Sequence, residues 1–182
     1  GLGDVYKRQP FHGESGNAGF IGHTTLNPTG PKCVCGKRGC LDAYAGELAI
    51  MRNYRAEAEQ RELSPEENDG LRKMEDFIGR SNSGDPLCTK ILKDAGFYLG
   101  IAIANLVKTM EVTNVVIGGC SDLEGSAFLQ SVTKSTMEYL PVYLKRRFSI
   151  RVGRLSEAEY PLGGCFLVFD HLFRKPHLTL SL

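Results

Sequence analysis

The apolar positions of this chain change period along its length, and the changes mark out its elements. Over residues 41–61, LDAYAGELAIMRNYRAEAEQR, Leu41, Tyr44, Leu48 and Met51 recur at helical spacing and predict one helix. Gly46 inside it costs roughly 1 kcal/mol against Ala, which points to a small-residue contact there. SPEEND at 64–69 predicts a second helix start, with Ser64 as N-cap, Pro65 in the first turn and Glu66 and Glu67 at the positive end of the dipole, running to about Gly79. GDP at 84–86 opens the strongest pattern. Leu87, Cys88, Ile91, Leu92, Ala95, Tyr98, Leu99, Ala102, Ile103, Leu106 and Val107 trace a stripe wide enough to predict burial on more than one side. TNVVIGG at 113–119 is a short β-branched run ending in two glycines, the pattern of a buried parallel strand. An amphipathic helix over 124–144, a strand in FSIRVGRL at 148–155 and a closing helix in PLGGCFLVFDHLF at 161–173 complete the series. Helices alternating with strands predict an α/β fold with a small sheet.

The chain before Cys40 has no such period. It is rich in Gly, Pro, Asn, Thr and Cys, with HTTLN at 23–27 as a brief strand and NPTGP at 27–31 as a turn. GLGDVYKRQ at 1–9 has neither apolar period nor cap and is set aside as a leader outside the fold, so that PFHGESGNAG begins in the middle of a domain. The expected organisation is a lobe over 10–175, comprising a loop at 23–40, a helical segment at 41–110 and a small sheet with helices at 111–175, followed by a frayed tail at 176–182.

Composition narrows the function classes. A chain of 182 residues is one domain or one large lobe, and 42% hydrophobic with 24% charged residues belongs to soluble globular proteins. A net charge of +1 gives no general reason to seek nucleic acid or membrane, and KRR at 145–147 reads as a solvated helix end. No apolar run approaches the roughly 20 residues of a membrane span, and no signal peptide is recognisable, so the expected location is cytoplasmic.

The densest chemistry is CVCGKRGC at 33–40, with His23 upstream: His-x9-Cys-x-Cys-x4-Cys. Three readings are open: a metal site, a disulfide, or a small core. A single residue between Cys33 and Cys35 is awkward for a disulfide framework. Three thiolates and an imidazole from His23, Cys33, Cys35 and Cys40 are a closed ligand set for structural zinc, with no position left for a catalytic water. Gly36 and Gly39 let the backbone fold round an ion, and Lys37 and Arg38 offset the charge of the thiolates. His23 as an ordinary turn histidine is the bland alternative. Cys88 and Cys165 read as small buried thiols, and Cys120 as either lining or filler. His12, His171 and His177 receive no role.

GNAGFIGH at 16–23 and NPTGPKCVCGKRGCLDAYAG at 27–46 resemble the ROK family (repressors, open reading frames and sugar kinases), whose signature is AGE-x-GH leading into C-x-CG-x-x-GCLE. GDP before a long helix, NVVIGG and a final helix opening at GGC (163–165) continue the likeness in order. The resemblance implies an actin/hexokinase-like (ribonuclease H-like) lobe with a zinc-stapled loop, corresponding to the C-terminal half of such a protein. The phosphate loop and catalytic aspartate of the kinases, and the helix-turn-helix of the repressors, belong to the other half, so no residue here takes a catalytic role.

On that resemblance, His23 would bind zinc through one ring nitrogen and a sugar hydroxyl through the other. Asp42, in place of the family's Glu, would contact hydroxyls near the anomeric carbon or else cap the helix behind it. Gly118 and Gly119 would admit adenosine in a kinase or else simply end a strand. Phe20 stands where the signature has its sugar-binding Glu, either as a cleft wall or as core filler. The implied function is the sugar-sensing and dimerisation portion of a ROK transcriptional repressor, taking a sugar or sugar phosphate, acting as a homodimer and reaching DNA only through a domain outside this lobe, with no membrane partner. The alternative is half of an ATP- and Mg-dependent, glucokinase-like hexose or N-acetylhexosamine kinase.

Overall fold

The computed structural model describes residues 5–6, 9–10, 14, 18–62, 71–119, 121–153 and 165. Val5–Tyr6 (β1) pairs antiparallel with Gln9–Pro10 (β2), so the segment set aside as a leader contains paired backbone.

The helix expected at 41–61 is two helices, Asp42–Ala45 (α1) and Glu47–Gln60 (α2). Gly46 between them is extended, at φ −69° and ψ 152°. Its carbonyl accepts the N–H groups of Ala49 and Ile50, which makes it the N-cap of α2 rather than an interior residue. Side-chain bulk would be unwelcome here, because a Cβ would lie 2.6 Å from the Asp42 carbonyl oxygen.

The expected start at Ser64 lies outside the described residues, and residues 71–73 are not helical. Met74–Asn82 (α3) starts afresh after Lys73, where the Asp76 carboxylate accepts the backbone N–H groups of Arg72 and Lys73, both at 2.8 Å. These two bonds hold the Asp76 carboxyl below its ordinary value, Arg72 contributing most. The Met74 N–H donates to Glu47 Oε1 and ties the starts of α2 and α3 together.

Pro86–Met110 (α4) is the spine of the lobe. Asp85 caps it by accepting from the N–H groups of Leu87 (2.8 Å) and Cys88 (3.0 Å), and Pro86 supplies a first-turn residue with no N–H to satisfy. Most of the wide stripe is buried, Tyr98, Leu99 and Leu106 being half-buried, with α1, α2, α3 and Ala127–Tyr139 (α5) all packed on α4. Tyr54 of α2 and Phe77 of α3 meet edge to face beside it, at 5.4 Å and 77°.

The contact of α4 with α5 depends on small residues. A Cβ on Gly100 would lie 1.8 Å from Ser135 Oγ and 2.6 Å from the Val132 carbonyl oxygen, and one on Gly96 would lie 2.6 Å from the Phe128 carbonyl oxygen. Ser131 Oγ donates to the Lys93 carbonyl (2.6 Å), so the close approach also satisfies a half-buried hydroxyl, while Thr136 Oγ1 donates within α5 to the Val132 carbonyl (2.7 Å) and lies 3.2 Å from that of Gly100.

The helix expected at 124–144 ends at Tyr139. Pro141 cannot continue it, and a separate turn, Val142–Lys145 (α6), follows. Asn114–Ile117 (β3) and Ser149–Val152 (β4) form a parallel pair in the register Asn114↔Ser149 to Ile117↔Val152, with α5 and α6 in the crossover. The parallel pairing matches expectation, but full burial of β3 does not: Val115 is buried while Val116 is 62% exposed. Cys88 is buried and Cys165 is exposed, contrary to its reading as a buried thiol. Cys120, the rest of the closing helix and the tail lie outside the described residues. Among those described, no helix is long and apolar enough to cross a membrane.

Candidate functional site

Residues 24–41 form a tight double loop against the start of α1. The N–H of Leu26 bonds the Gly39 carbonyl, that of Gly39 bonds Pro31, and that of Leu41 bonds Thr24, at 2.8, 2.8 and 3.0 Å. Thr25 bridges Cys40, and Lys32 bridges Arg38. HTTLN is therefore not a free strand: His23 closes a 3-10 turn, Ile21–His23, and only Thr25 pairs in sheet fashion. Gly36 and Gly39 have φ of +83° and +68°, the left-handed conformation expected of them. Gly39 has a second constraint, since a Cβ there would sit 1.5 Å from the Asn27 carbonyl oxygen. Arg38 reaches across the loop to the Gly30 carbonyl at 3.1 Å.

This folding brings together the four residues singled out by spacing. One donor atom each from His23, Cys33, Cys35 and Cys40 lies within 4.8 Å of all the others. His23 Nδ1 is 3.7 Å from Cys33 Sγ, and Cys35 Sγ is 3.6 Å from Cys40 Sγ. Bonds of about 2.3 Å to sulfur and about 2.0 Å to nitrogen set neighbouring donors roughly 3.5–3.8 Å apart around a tetrahedral ion, so the donor set fits one. Cys33 and Cys40 are buried, while His23 and Cys35 face solvent. Burial, then hydrogen bonding with Cys35 and Cys33, pushes the Cys40 thiol up to about 12. The backbone N–H of Lys37, then the Cys33 side chain, holds Cys35 below its ordinary value. A thiolate at Cys40 thus needs a cation beside it.

Asp42 Oδ2 lies 3.5 Å from His23 Nδ1, with both side chains about half exposed. The capping alternative for Asp42 is not realised: Leu41 holds the N-cap position of α1, with no side-chain cap. Gly22 makes the approach possible, because a Cβ there would fall 2.1 Å from Asp42 Oδ1. Phe20 is not core filler. It is 65% exposed, with its ring nearly parallel to that of His23 (8°, centroids 6.4 Å apart). Gly118 and Gly119 follow β3, where Gly119 takes φ +103° and a Cβ on Gly118 would meet nothing within 4 Å.

Three contributors escaped the sequence. Gly22 makes room for Asp42, Arg52 donates to the Ala43 carbonyl at 2.9 Å, and Tyr44 stacks on Tyr98. Gly22 left only its place just before His23 and Tyr44 only its place in the apolar period, while Arg52 left no signal.

Fold and site together define a class: an α/β lobe whose long buried helix carries a loop with a Cys3His donor set and an adjoining carboxylate. A family model described as "ROK family" matches residues 1–170, and the chain belongs to that family. The xylose repressor of Bacillus subtilis (strain 168) is 28% identical over 171 residues, covering 94% of this chain and 42% of that protein. The glucokinase of Halalkalibacterium halodurans is 29% identical over 173 residues, covering 92% and 52% respectively. A solved ROK family transcriptional regulator, a homologue of the E. coli MLC protein, matches with a TM-score of 0.76 at 27% identity, over 84% of this chain and 39% of its own. The ROK hexokinase from Thermus thermophilus matches at 0.70 and 29% identity, over 93% and 54%. The chain spans about half the length of the curated relatives it matches. Its fold is that of the actin/hexokinase-like lobe expected.

Proposed function

We propose that this chain is the sugar-sensing and dimerisation lobe of a ROK transcriptional regulator, with a structural zinc ion held by His23, Cys33, Cys35 and Cys40. The observation that carries the regulator reading is Phe20. Where the ROK signature has a carboxylate, an exposed benzyl ring lies beside His23, the histidine that Asp42 approaches. A kinase must orient its acceptor hydroxyl to react, and loss of a charged acceptor removes a bond of roughly 1.5–3 kcal/mol. A sensor needs only to bind, and an aromatic face suits the C–H surface of a sugar ring. The resemblance to a xylose repressor and to a solved ROK regulator supports the same reading.

The zinc would cross-link the loop at 23–40, and its four protein donors would leave no open position for water. The donor spacing supports this, and so does the absence of disulfides among the described cysteines, which suits a reducing cytoplasm. His23 would give Nδ1 to the metal and Nε2 to a sugar hydroxyl, with Asp42 accepting from a neighbouring hydroxyl. DNA would be bound by another part of the protein.

The kinase reading has in its favour the 29% identity to a glucokinase, the likeness to a solved ROK hexokinase and the open backbone at Gly118, where adenosine could approach. The deciding experiment uses the full-length protein. ATP-dependent phosphorylation of glucose, N-acetylglucosamine and mannose is assayed beside sugar-dependent release of its operator DNA. No turnover with sugar-responsive DNA binding is expected, and turnover on any of the three overturns the regulator reading.

A further inference from the structure

The short helix α1 carries two side chains with different destinations. Asp42 turns to Gly22 and His23, while Tyr44 turns to the opposite wall of the loop. There the Tyr44 hydroxyl fills the space over Gly30, where a Cβ would lie 2.0 Å from it. The same tyrosine ring stacks on Tyr98 of α4, with centroids 3.9 Å apart and planes at 22°. Tyr98 is fixed in turn by Phe97 (5.5 Å, 78°), and Phe97 by Tyr139 of α5 (6.0 Å, 73°). A four-residue helix has little stability of its own, so its placement must come from outside. Burial of Leu41 and Ala43 and the Arg52 bond to the Ala43 carbonyl hold its base, and the ring of Tyr98 sets the face that bears on the loop.

We propose that Tyr98 is a positioning residue for the candidate site: by stacking on Tyr44 it fixes α1, and through α1 it sets Asp42 against His23 and seats the metal-binding loop on the spine of the lobe. Tyr98 touches neither donor set nor ligand, and acts through Tyr44. The proposal rests on the reading of His23 and the three cysteines as a metal site only for its consequence, not for its geometry.

The test is backbone hydrogen exchange on the unaltered protein and on Tyr98→Ala and Tyr98→Phe, with zinc content measured on the same samples. Losing the stack should speed exchange at Leu26, Gly39 and Leu41 by about threefold to tenfold in Tyr98→Ala, with amides of α5 unchanged. Tyr98→Phe keeps the ring and should restore the unaltered rates, whereas Tyr98→Leu keeps apolar bulk without the aromatic face and should exchange as Tyr98→Ala does; rescue by Tyr98→Leu overturns the stack as the cause. Unchanged loop exchange in Tyr98→Ala overturns the proposal, as does equal acceleration throughout α5 or failure of Tyr98→Phe to rescue. Should the unaltered protein carry no zinc, the metal reading falls alone, and loop exchange still decides the role of Tyr98.

Discussion

At the scale of single residues, the site is tuned by what is missing as much as by what is present. Phe20 puts an apolar ring where a carboxylate would accept a hydrogen bond, so Phe20→Glu should strengthen binding of a polyhydroxylated sugar. A charged acceptor at this solvent-facing position belongs at the low end of its range, about tenfold in Kd. Calorimetric titration with glucose checks this, and unchanged or weakened binding would remove Phe20 as the determinant of ligand choice. Gly22 leaves room that Asp42 occupies. In Gly22→Ala the new methyl lands 2.1 Å from Asp42 Oδ1 and turns the flexible carboxylate away from His23. Sugar affinity should fall several-fold with little change in melting temperature, because the displaced group is half exposed. His23, Cys33, Cys35 and Cys40 were singled out together because metal chemistry restricts both residue type and spacing, and the fold does bring them together. Gly22 and Tyr44 were not, because their roles depend on which side chain arrives from elsewhere, and no periodicity encodes that.

At the scale of elements, capping and close approach decide what periodicity alone does not. Burial acts to raise the Asp85 carboxyl, but the N–H groups of Cys88 and Leu87, then Arg80 at 3.0 Å, outweigh it and hold the group below its ordinary value. A carboxyl whose folded pKa is depressed adds stability that is full above its unfolded pKa of about 3.9 and is lost as pH falls through the folded value. Asp85→Ala should therefore cost about 1 kcal/mol at pH 7 and converge with the unaltered protein in strong acid, as urea titrations at both ends would read. Two helix glycines give opposite predictions for the same change. At Gly79 a Cβ meets nothing within 4 Å, so Gly79→Ala should stabilise by roughly 0.5–1 kcal/mol. At Gly100 it meets backbone atoms of α5 at 2.6 and 2.9 Å, so Gly100→Ala should destabilise by about 1 kcal/mol or more in spite of the better helix propensity. The sequence marked Gly79 as the end of a helix and assigned Gly100 no role. It likewise placed Gly46 and Pro141 inside single helices, because apolar period continues across a break when the helices on both sides bury the same face. Asp85 and the spine were readable because the cap, the proline and the stripe all lie within one local window.

At the scale of the whole molecule, the apolar interior of the described residues falls into two parts. The large core runs from Ile50 through α3, α4 and α5 to Leu144, while Cys33, Cys40 and Ala43 form a separate small cluster beneath the loop. Three residues cannot bury enough surface to offset the ordering of an eighteen-residue loop at about 1 kcal/mol or more per residue, so the loop needs either its metal or its seat on α1. Removal of the metal by a strong chelator should then have a divided effect. Proteolysis should become rapid between residues 23 and 40, where the left-handed glycines and exposed Cys35 lie, while helical circular dichroism from α4 and α5 stays nearly unchanged. Cooperative loss of helix on chelation would instead mean that the loop is part of the folding unit and not a staple added to it. Cys35→Ser isolates the cause, since it removes one exposed donor without touching either core: it should reproduce the chelator's cleavage pattern in buffer containing zinc. If the variant resists protease as the unaltered protein does, the loop is held by its backbone bonds and the stack on Tyr98, and the donor cluster is not what shapes it.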